Sequence, residues 1–262
     1  MGVLDAIVAK KREEVAALKA AAPPPKLART PIDVFSALER APGDPLRLIT
    51  EIKFKSPSAG PLSRALSAAE RAIVYARGGA TMISVLCDET FFDGSFVRLA
   101  EARAALDANA LAVPLLAKEF VIDESQLDLA RASGADAVLL IARIVDEAAL
   151  PALVDAAFAR GLEPIVEVVS DAEIERALAT EARVFGVNAR DLDTLKMDPA
   201  RAAELVAKIP RGRVALHFSG IGSGIDVSNV ARGRADGALL GEALMRRDDP
   251  SAFLAELVHA AK

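Results

Sequence analysis

Two side chains of opposite charge close the first apolar segment of the chain. Glu51 and Lys53 stand at the end of residues 46–52, a run that is apolar enough to form a buried strand. Because residues two apart in a strand point to the same face, we expect the carboxylate and the ammonium to lie side by side. Buried charges are costly unless they are paired or used in chemistry. The pair therefore indicates either a salt bridge at a strand end or the floor of an active site.

A segment rich in turn-forming residues follows the pair. Residues 55–60 read Lys-Ser-Pro-Ser-Ala-Gly, and this composition predicts a loop rather than a continued strand. We interpret it as an anion-binding loop beside the strand end.

The pair heads a regular alternation of short apolar runs and alanine-rich helical patterns. The runs are continuously apolar, which is typical of parallel strands covered by helices on both faces. We predict strands at 47–53, 81–86, 113–118, 136–141, 163–168, 184–188, 213–217 and 237–241. We predict helices at 67–78, 95–108, 124–133, 146–160, 171–180, 198–208, 222–233 and 250–260. Eight such units predict an α/β fold of the (β/α)8 TIM-barrel type, with a doubly wound open sheet as the structural competitor.

The residues before the first strand predict a helical extension. Apolar residues recur at helical spacing over residues 3–20, three consecutive prolines follow at 23–25, and residues 31–40 indicate a second short helix. No shift in composition marks a second domain. We therefore expect a single barrel domain over residues 1–262, with an N-terminal helical extension at 1–45 and the barrel at 46–262.

Composition and charge narrow the class of protein. Of the 262 residues, 52% are hydrophobic but only 4% are aromatic, so small aliphatic side chains must fill the core. The net charge of −5 disfavours a nucleic-acid-binding protein, because such proteins are usually basic overall. The single cysteine, Cys87, excludes an internal disulfide. With only two histidines in addition, we expect no His/Cys metal site.

The sequence also lacks the pattern of a targeting or membrane segment. Residues 1–20 interleave charged and apolar residues, which is not the pattern of a signal peptide. No apolar run reaches the roughly 20 residues that are needed to span a bilayer. We therefore expect a soluble cytoplasmic protein with neither a membrane nor a nucleic acid as partner.

Polar residues follow the predicted strands at the ends where a barrel enzyme carries its chemistry. A single inward polar residue at a strand end is usually structural, but several converging lysines and glutamates predict an active site. Beyond the first strand, these residues are Lys118 and Glu119, Glu167, Asn188 and Arg190, Ser219 and Gly220, and Gly241 and Glu242.

Glycines after the last two strands indicate a phosphate site. Residues 219–224 read Ser-Gly-Ile-Gly-Ser-Gly, and Gly241 precedes a short helical pattern. Barrels often bind phosphate with backbone N–H groups from these two loops, and glycine lets the backbone approach the oxygens closely. The alternative is a pair of tight turns.

Taken together, these motifs resemble those of the indole-3-glycerol phosphate synthase family, nearly from end to end. Besides the Glu-Ile-Lys-x-x-Ser-Pro-Ser block, the resemblance rests on residues 10–15, Lys-Lys-Arg-Glu-Glu-Val, and on residues 115–123, Leu-Leu-Ala-Lys-Glu-Phe-Val-Ile-Asp. It continues through Ser-Val-Leu at 84–86, Phe-Asp-Gly-Ser at 92–95, Val-Glu-Val at 166–168, Gly-Val-Asn-Ala-Arg-Asp-Leu at 186–192, Ser-Gly-Ile at 219–221 and Leu-Gly-Glu-Ala-Leu-Met at 240–245.

The resemblance implies a specific lyase reaction. The substrate is 1-(2-carboxyphenylamino)-1-deoxyribulose 5-phosphate, a small anionic phosphorylated molecule, and the reaction closes the pyrrole ring with loss of CO2 and water in tryptophan biosynthesis. It implies neither a metal nor an organic cofactor. We also expect the protein to be a monomer.

The resemblance also implies roles for the charged residues at the strand ends. Lys118 is the general acid, because ring closure develops charge on the substrate carbonyl oxygen, and Lys53 is the neighbouring cation that would lower its pKa. Lys53 holds the substrate carboxylate and is the alternative proton donor. Glu167 is the general base for dehydration, while Glu51 and Asn188 orient the lysines, the base and the substrate hydroxyls.

The remaining site residues follow from the same resemblance. Ser219 contacts the substrate and Arg190 is an anchor behind it. Phe92 and Phe120 are candidates for the slot that receives the anthranilate ring, with core packing as the alternative. The residues expected to hold the phosphate are Ser56, Gly220, Gly241 and Glu242.

The chain departs from the family pattern at the end of the seventh predicted strand. The family usually has a glutamate immediately before the serine, whereas His217 and Phe218 precede Ser219 here. We expect the two rings to reshape the pocket mouth or to reduce turnover. We interpret His217 as packed at the strand end, with a new acid–base group as the alternative.

Two other functions stay open at this point. One is another phosphate-binding barrel isomerase such as phosphoribosylanthranilate isomerase. Its chemistry resembles that of a Cys/Asp acid–base pair at strand ends, and the Lys/Glu set of this chain argues against it. The other is a non-catalytic binding barrel, disabled by the change at His217 and Phe218.

Overall fold

Ten strands are present in the computed structural model of the chain, which describes residues 2–25, 29–57, 59–191 and 193–262. Ser58 and Leu192, which belong to motifs quoted above, lie outside the described residues. The strands are β1 (Arg47–Ile52), β2 (Lys55–Ser56), β3 (Gly60–Pro61), β4 (Met82–Leu86), β5 (Leu115–Lys118), β6 (Ala137–Ile141), β7 (Glu163–Val168), β8 (Val184–Asn188), β9 (Val214–Phe218) and β10 (Gly237–Leu240).

Eight of these strands form a closed parallel barrel in the order β1-β10-β9-β8-β7-β6-β5-β4. β1 closes the ring because it pairs in parallel with both β10 and β4. The predicted barrel is confirmed, and the open sheet is excluded. β2 and β3 form a small antiparallel hairpin within the segment that the sequence predicted as a loop.

The helices alternate with the barrel strands. They are α1 (Val3–Ala20), α2 (Val34–Leu38), α3 (Ala68–Arg77), α4 (Glu89–Phe92), α5 (Phe96–Ala108), α6 (Glu124–Ala132), α7 (Ala149–Ala159), α8 (Asp171–Leu178), α9 (Pro199–Lys208), α10 (Gly224–Ala231), α11 (Glu242–Met245) and α12 (Ser251–Ala260), with a 3-10 turn at Ala142–Ile144. Most crossover helices begin where a Ser or Asp side chain accepts a backbone N–H of the first turn, as Ser67 does for α3. The four-residue helix α4 and the 3-10 turn lie outside the predicted helices, whereas α11 follows Gly241 where the sequence indicates a short helical pattern. Across the described residues, no helix is both long and apolar enough to cross a membrane.

The core is divided by the barrel wall. Inside the barrel, Ile49, Met82, Leu116 and Ile165 belong to one buried cluster. The opposite faces of the strands pack against the surrounding helices in a second, larger cluster, to which Ala215 belongs. The inward side chains therefore fill the barrel and leave space only at its rim, as is usual for this fold.

The two N-terminal helices pack at opposite ends of the barrel. Val34 and Leu38 of α2 join the interior cluster near the amino ends of the strands, where the Phe35 ring lies under the Arg183 guanidinium. Leu4 and Ile7 of α1 join the same cluster at the carboxyl ends. The extension therefore covers the bottom of the barrel and forms part of the rim at its mouth.

His217 lies in β9 and points away from the barrel interior. Its neighbours Leu216 and Phe218 both belong to the interior cluster, so they share the face of β9 that points into the barrel. His217 stands between them, so it faces the surrounding helices, where it is buried. Burial lowers the pKa of its imidazole, against the opposing effect of a backbone hydrogen bond with Ser219.

We predict that this buried imidazole makes the protein less stable as the solution is acidified. The folded-state pKa lies below the unfolded value of 6.5. Between the two values only the unfolded chain takes up the proton, so stability is lost as the pH falls below about 6.5. His217→Gln removes this proton uptake and should lose less stability than the unsubstituted chain between about pH 7.5 and pH 5.5 in urea unfolding. His259→Gln, at the exposed second histidine, is the matched control. An unchanged pH dependence in His217→Gln would contradict the prediction.

Candidate active site

A cavity of about 600 Å³ opens at the carboxyl ends of the barrel strands. It is lined by every residue that the sequence predicted for the site: Glu51, Lys53, Ser56, Phe92, Lys118, Phe120, Glu167, Asn188, Arg190, Ser219, Gly220, Gly241 and Glu242. The parallel strands bring these residues together because all their carboxyl ends lie at the same side of the barrel. Their individual roles stay predictions. Within the described residues, no group of three or more His, Cys, Asp or Glu side chains is placed to hold a metal ion.

The Glu167 carboxylate is held on both of its oxygens. The Lys118 Nζ lies 3.0 Å from Oε2, and the Asn188 side-chain amide donates to Oε1 at 3.1 Å. The Asn188 oxygen in turn accepts the backbone N–H of Arg190 at 3.0 Å, which fixes the orientation of the amide. Glu167 is 1% exposed, and Lys118 reaches it from β5 across the intervening strand β6. A lysine, a glutamate and an amide are therefore connected across four strands of the mouth.

A second ion pair lies at the end of β1. The Lys53 Nζ is 2.5 Å from Oε2 of Glu51, whose side chain is buried. Lys53 and Lys118 thus each contact a carboxylate. Gly241 is needed here for a reason that the sequence did not reveal. A Cβ at this position would overlap the Glu51 carboxylate, which would have to shift from its present place beside Lys53.

Two aromatic rings form an apolar wall of the cavity. The Phe92 and Phe120 ring centroids are 5.8 Å apart, with an angle of 34° between the planes. Phe92 is partly exposed, and Phe120 is nearly buried. Leu139 and Ile141 from β6 line the same cavity. The mouth therefore combines charged groups with a surface suited to a flat aromatic ligand.

Phe218 is the last residue of β9. Its ring is buried inside the barrel and fills the space above Gly186 on the neighbouring strand, where any Cβ would overlap the ring. The Lys118 Nζ lies 5.5 Å from the ring centroid, within the range of a cation–π contact. An aromatic face therefore lies beside the predicted general acid.

The loops after β1, β9 and β10 carry the predicted phosphate residues. Ser219 and Gly220 have φ angles of +68° and +78°, so the chain turns sharply directly after β9. A left-handed serine is uncommon and is often found at functional sites. Ser56 is buried in the β2–β3 hairpin, where its hydroxyl accepts the Ala59 N–H at 3.0 Å. The Glu242 carboxylate pairs with Arg246 at 2.7 Å. The backbone of Glu242, and not its side chain, is therefore the group that suits the predicted phosphate site.

One charged cluster at the rim was missed by the sequence analysis. Lys11 of α1 is 2% exposed, and its Nζ lies 2.8 Å from Asp88 and 2.9 Å from Glu119. Burial raises the pKa of Glu119 to about 7, although the Lys11 charge opposes this. Burial also acts to lower the pKa of Lys11, but Glu119 and hydrogen bonds to the carboxylates raise it overall. Lys11 lies at helical spacing between Ile7 and Val15, on the apolar face of α1, and this spacing is the signal that indicates its burial.

Comparison with known proteins identifies relatives of the whole chain. A family model described as indole-3-glycerol phosphate synthase matches residues 4–257. A protein of that name from Opitutus terrae is 39% identical over 255 residues, covering 95% of this chain and 96% of the relative. Another of that name from Kineococcus radiotolerans is 40% identical over 272 aligned residues, covering 99% of this chain and 96% of the relative.

Solved structures with lower sequence identity share the fold. A 3-hexulose-6-phosphate synthase structure has a TM-score of 0.64 at 20% identity and covers 83% of this chain and 100% of its own. A thiamine phosphate pyrophosphorylase from Pyrococcus furiosus has a TM-score of 0.61 at 17% identity, with 82% and 95% covered. These likenesses support the barrel alone. The match to the family model and the near-complete coverage of the relatives go further: the chain belongs to the indole-3-glycerol phosphate synthase family, a carboxy-lyase family of tryptophan biosynthesis.

Proposed function

We propose that this barrel converts 1-(2-carboxyphenylamino)-1-deoxyribulose 5-phosphate into indole-3-glycerol phosphate with the residues that line its mouth. The observation that carries this proposal is the connection of Lys118, Glu167 and Asn188 through the two oxygens of one buried carboxylate. A reaction that first needs a proton donor and later a base is served by a lysine and a glutamate held 3.0 Å apart.

Ring closure is the step assigned to the two lysines. A bond forms between the aromatic carbon that bears the carboxylate and the substrate carbonyl carbon, and Lys118 gives a proton to the carbonyl oxygen. Lys53 neutralises the substrate carboxylate until it leaves as CO2. The 2.5 Å contact with Glu51 supports this role, because it holds the Lys53 ammonium at the rim of the cavity. Lys53 is also the alternative proton donor.

Dehydration is the step assigned to Glu167. Its carboxylate removes a proton from the ring-closed intermediate, and a protonated lysine of the mouth gives a proton to the hydroxyl group, which departs as water. Asn188 supports this step because its amide, fixed through Arg190, holds one carboxylate oxygen in place. Arg190 and Ser219 act as anchors around the substrate chain.

The two ends of the substrate need different surroundings. The anthranilate ring lies against Phe92 and Phe120, the tilted aromatic pair in the cavity wall. The phosphate lies against the loops that the glycines make accessible, with Ser56, Gly220, Gly241 and the backbone at Glu242 around it. We further propose that the protein acts as a monomer in the cytoplasm.

Turnover of the substrate is the direct test of this function. We expect the protein at micromolar concentration to form indole-3-glycerol phosphate, followed by indole fluorescence. The absence of product above background would contradict the proposal. Tight calorimetric binding of a substrate analogue without turnover would instead favour a binding barrel in which Phe218 has disabled the chemistry. Activity on phosphoribosylanthranilate alone would favour the isomerase.

We predict that Lys118→Met lowers kcat by roughly 10²- to 10⁴-fold while KM changes little, because a general acid acts in the transition state. Steady-state kinetics by indole fluorescence measure both constants. Lys196→Met, at an exposed lysine in the loop before α9, is the matched control and should leave kcat unchanged. An unchanged kcat in Lys118→Met would remove the assigned role.

A further inference from the structure

Helix α1 brings one buried ammonium to the rim of the cavity. The Lys11 Nζ contacts three carboxylates, at 2.7 Å from Glu14, 2.8 Å from Asp88 and 2.9 Å from Glu119. Glu14 is on the same helix and partly exposed, whereas Asp88 and Glu119 are buried and follow β4 and β5. Two separate barrel loops are therefore joined through a single side chain of the N-terminal extension.

The Asp88 carboxylate connects Lys11 to the first aromatic residue of the cavity. One of its oxygens faces Lys11, and the other accepts the backbone N–H groups of Phe91 and Phe92 at 2.7 and 3.1 Å. These bonds begin helix α4, which places the Phe92 ring at the cavity. A carboxylate that caps such a short helix determines where the helix starts.

The Glu119 carboxylate makes the equivalent connection to the second aromatic residue. Its Oε1 lies 2.9 Å from Lys11 and accepts the Phe120 N–H at 2.7 Å. Glu119 directly follows Lys118 at the end of β5, so its position also affects the strand end that carries the predicted acid. The backbone N–H groups of Phe92 and Phe120 thus each donate to a carboxylate, and both carboxylates contact the Lys11 ammonium.

We propose that Lys11 is a positioning residue of the active site, which sets the spacing of Phe92 and Phe120 by holding Asp88 and Glu119 together. This inference rests on the proposed role of the two rings as the slot for the substrate's aromatic ring. Two buried carboxylates repel each other, and one shared ammonium between them offsets that repulsion. Without Lys11 the two loops separate, and the 5.8 Å spacing of the rings is lost.

The test compares ligands for the two ends of the site. One is the reduced analogue of the substrate, which carries the anthranilate ring, and the other is inorganic phosphate, which does not. We expect Lys11→Met to weaken binding of the analogue by roughly 10- to 100-fold, as misplacement of a binding surface does, and to leave phosphate affinity unchanged. KM for the substrate should rise more than kcat falls. A merely structural role would weaken both ligands alike.

Lys10→Met is the matched control, because Lys10 is the neighbouring residue on α1 and pairs with the exposed Glu13. It should bind both ligands as the unsubstituted chain does. If Lys11→Met does not fold, Glu119→Gln replaces it, since this change weakens one side of the contact and leaves no unpaired buried charge on the barrel. Normal affinity for the analogue in a folded Lys11→Met or Glu119→Gln protein would overturn the inference. Failure of the unsubstituted chain to bind the analogue would instead overturn the proposed function.

Discussion

The buried Glu167 carboxylate is the group on which the arrangement of the site depends. A carboxylate that is 1% exposed is stable only if its oxygens are occupied, and here Lys118 and Asn188 occupy one each. The same two contacts fix a lysine from β5 and an amide from β8 relative to each other. The barrel makes this possible because strands that are distant in sequence end at one rim. The contacts that stabilise the buried Glu167 charge are thus the same contacts that place the groups predicted to react.

Close approach between side chains and glycines gives the site its remaining shape. Gly241 leaves room for the Glu51 carboxylate, and Gly186 leaves room for the Phe218 ring. Gly186 and Phe218 lie on the paired strands β8 and β9, so the bulky residue is accommodated without displacing the barrel wall. Phe218 therefore places an aromatic face beside Lys118 while the fold around it stays regular.

Much of this structure could be predicted from the sequence, because the signals were local and repeated. The apolar runs predicted the barrel strands, and the polar residues directly after them predicted the cavity lining. What could not be predicted depends on contacts between distant segments. Lys11 lies on the apolar face of α1, but the carboxylates that it contacts become evident only when α1 meets the loops after β4 and β5. The contact of Lys118 with the Phe218 ring likewise depends on the closure of the barrel.

The most direct test of the central claim is a double-mutant cycle on the free energy of unfolding with Lys118→Met, Glu167→Gln and the double variant. If Lys118 stabilises the buried Glu167 charge, Lys118→Met will cost at least about 1 kcal/mol more when Glu167 is present than in the Glu167→Gln background. Costs that simply add would show that the two groups are independent, and would contradict the account.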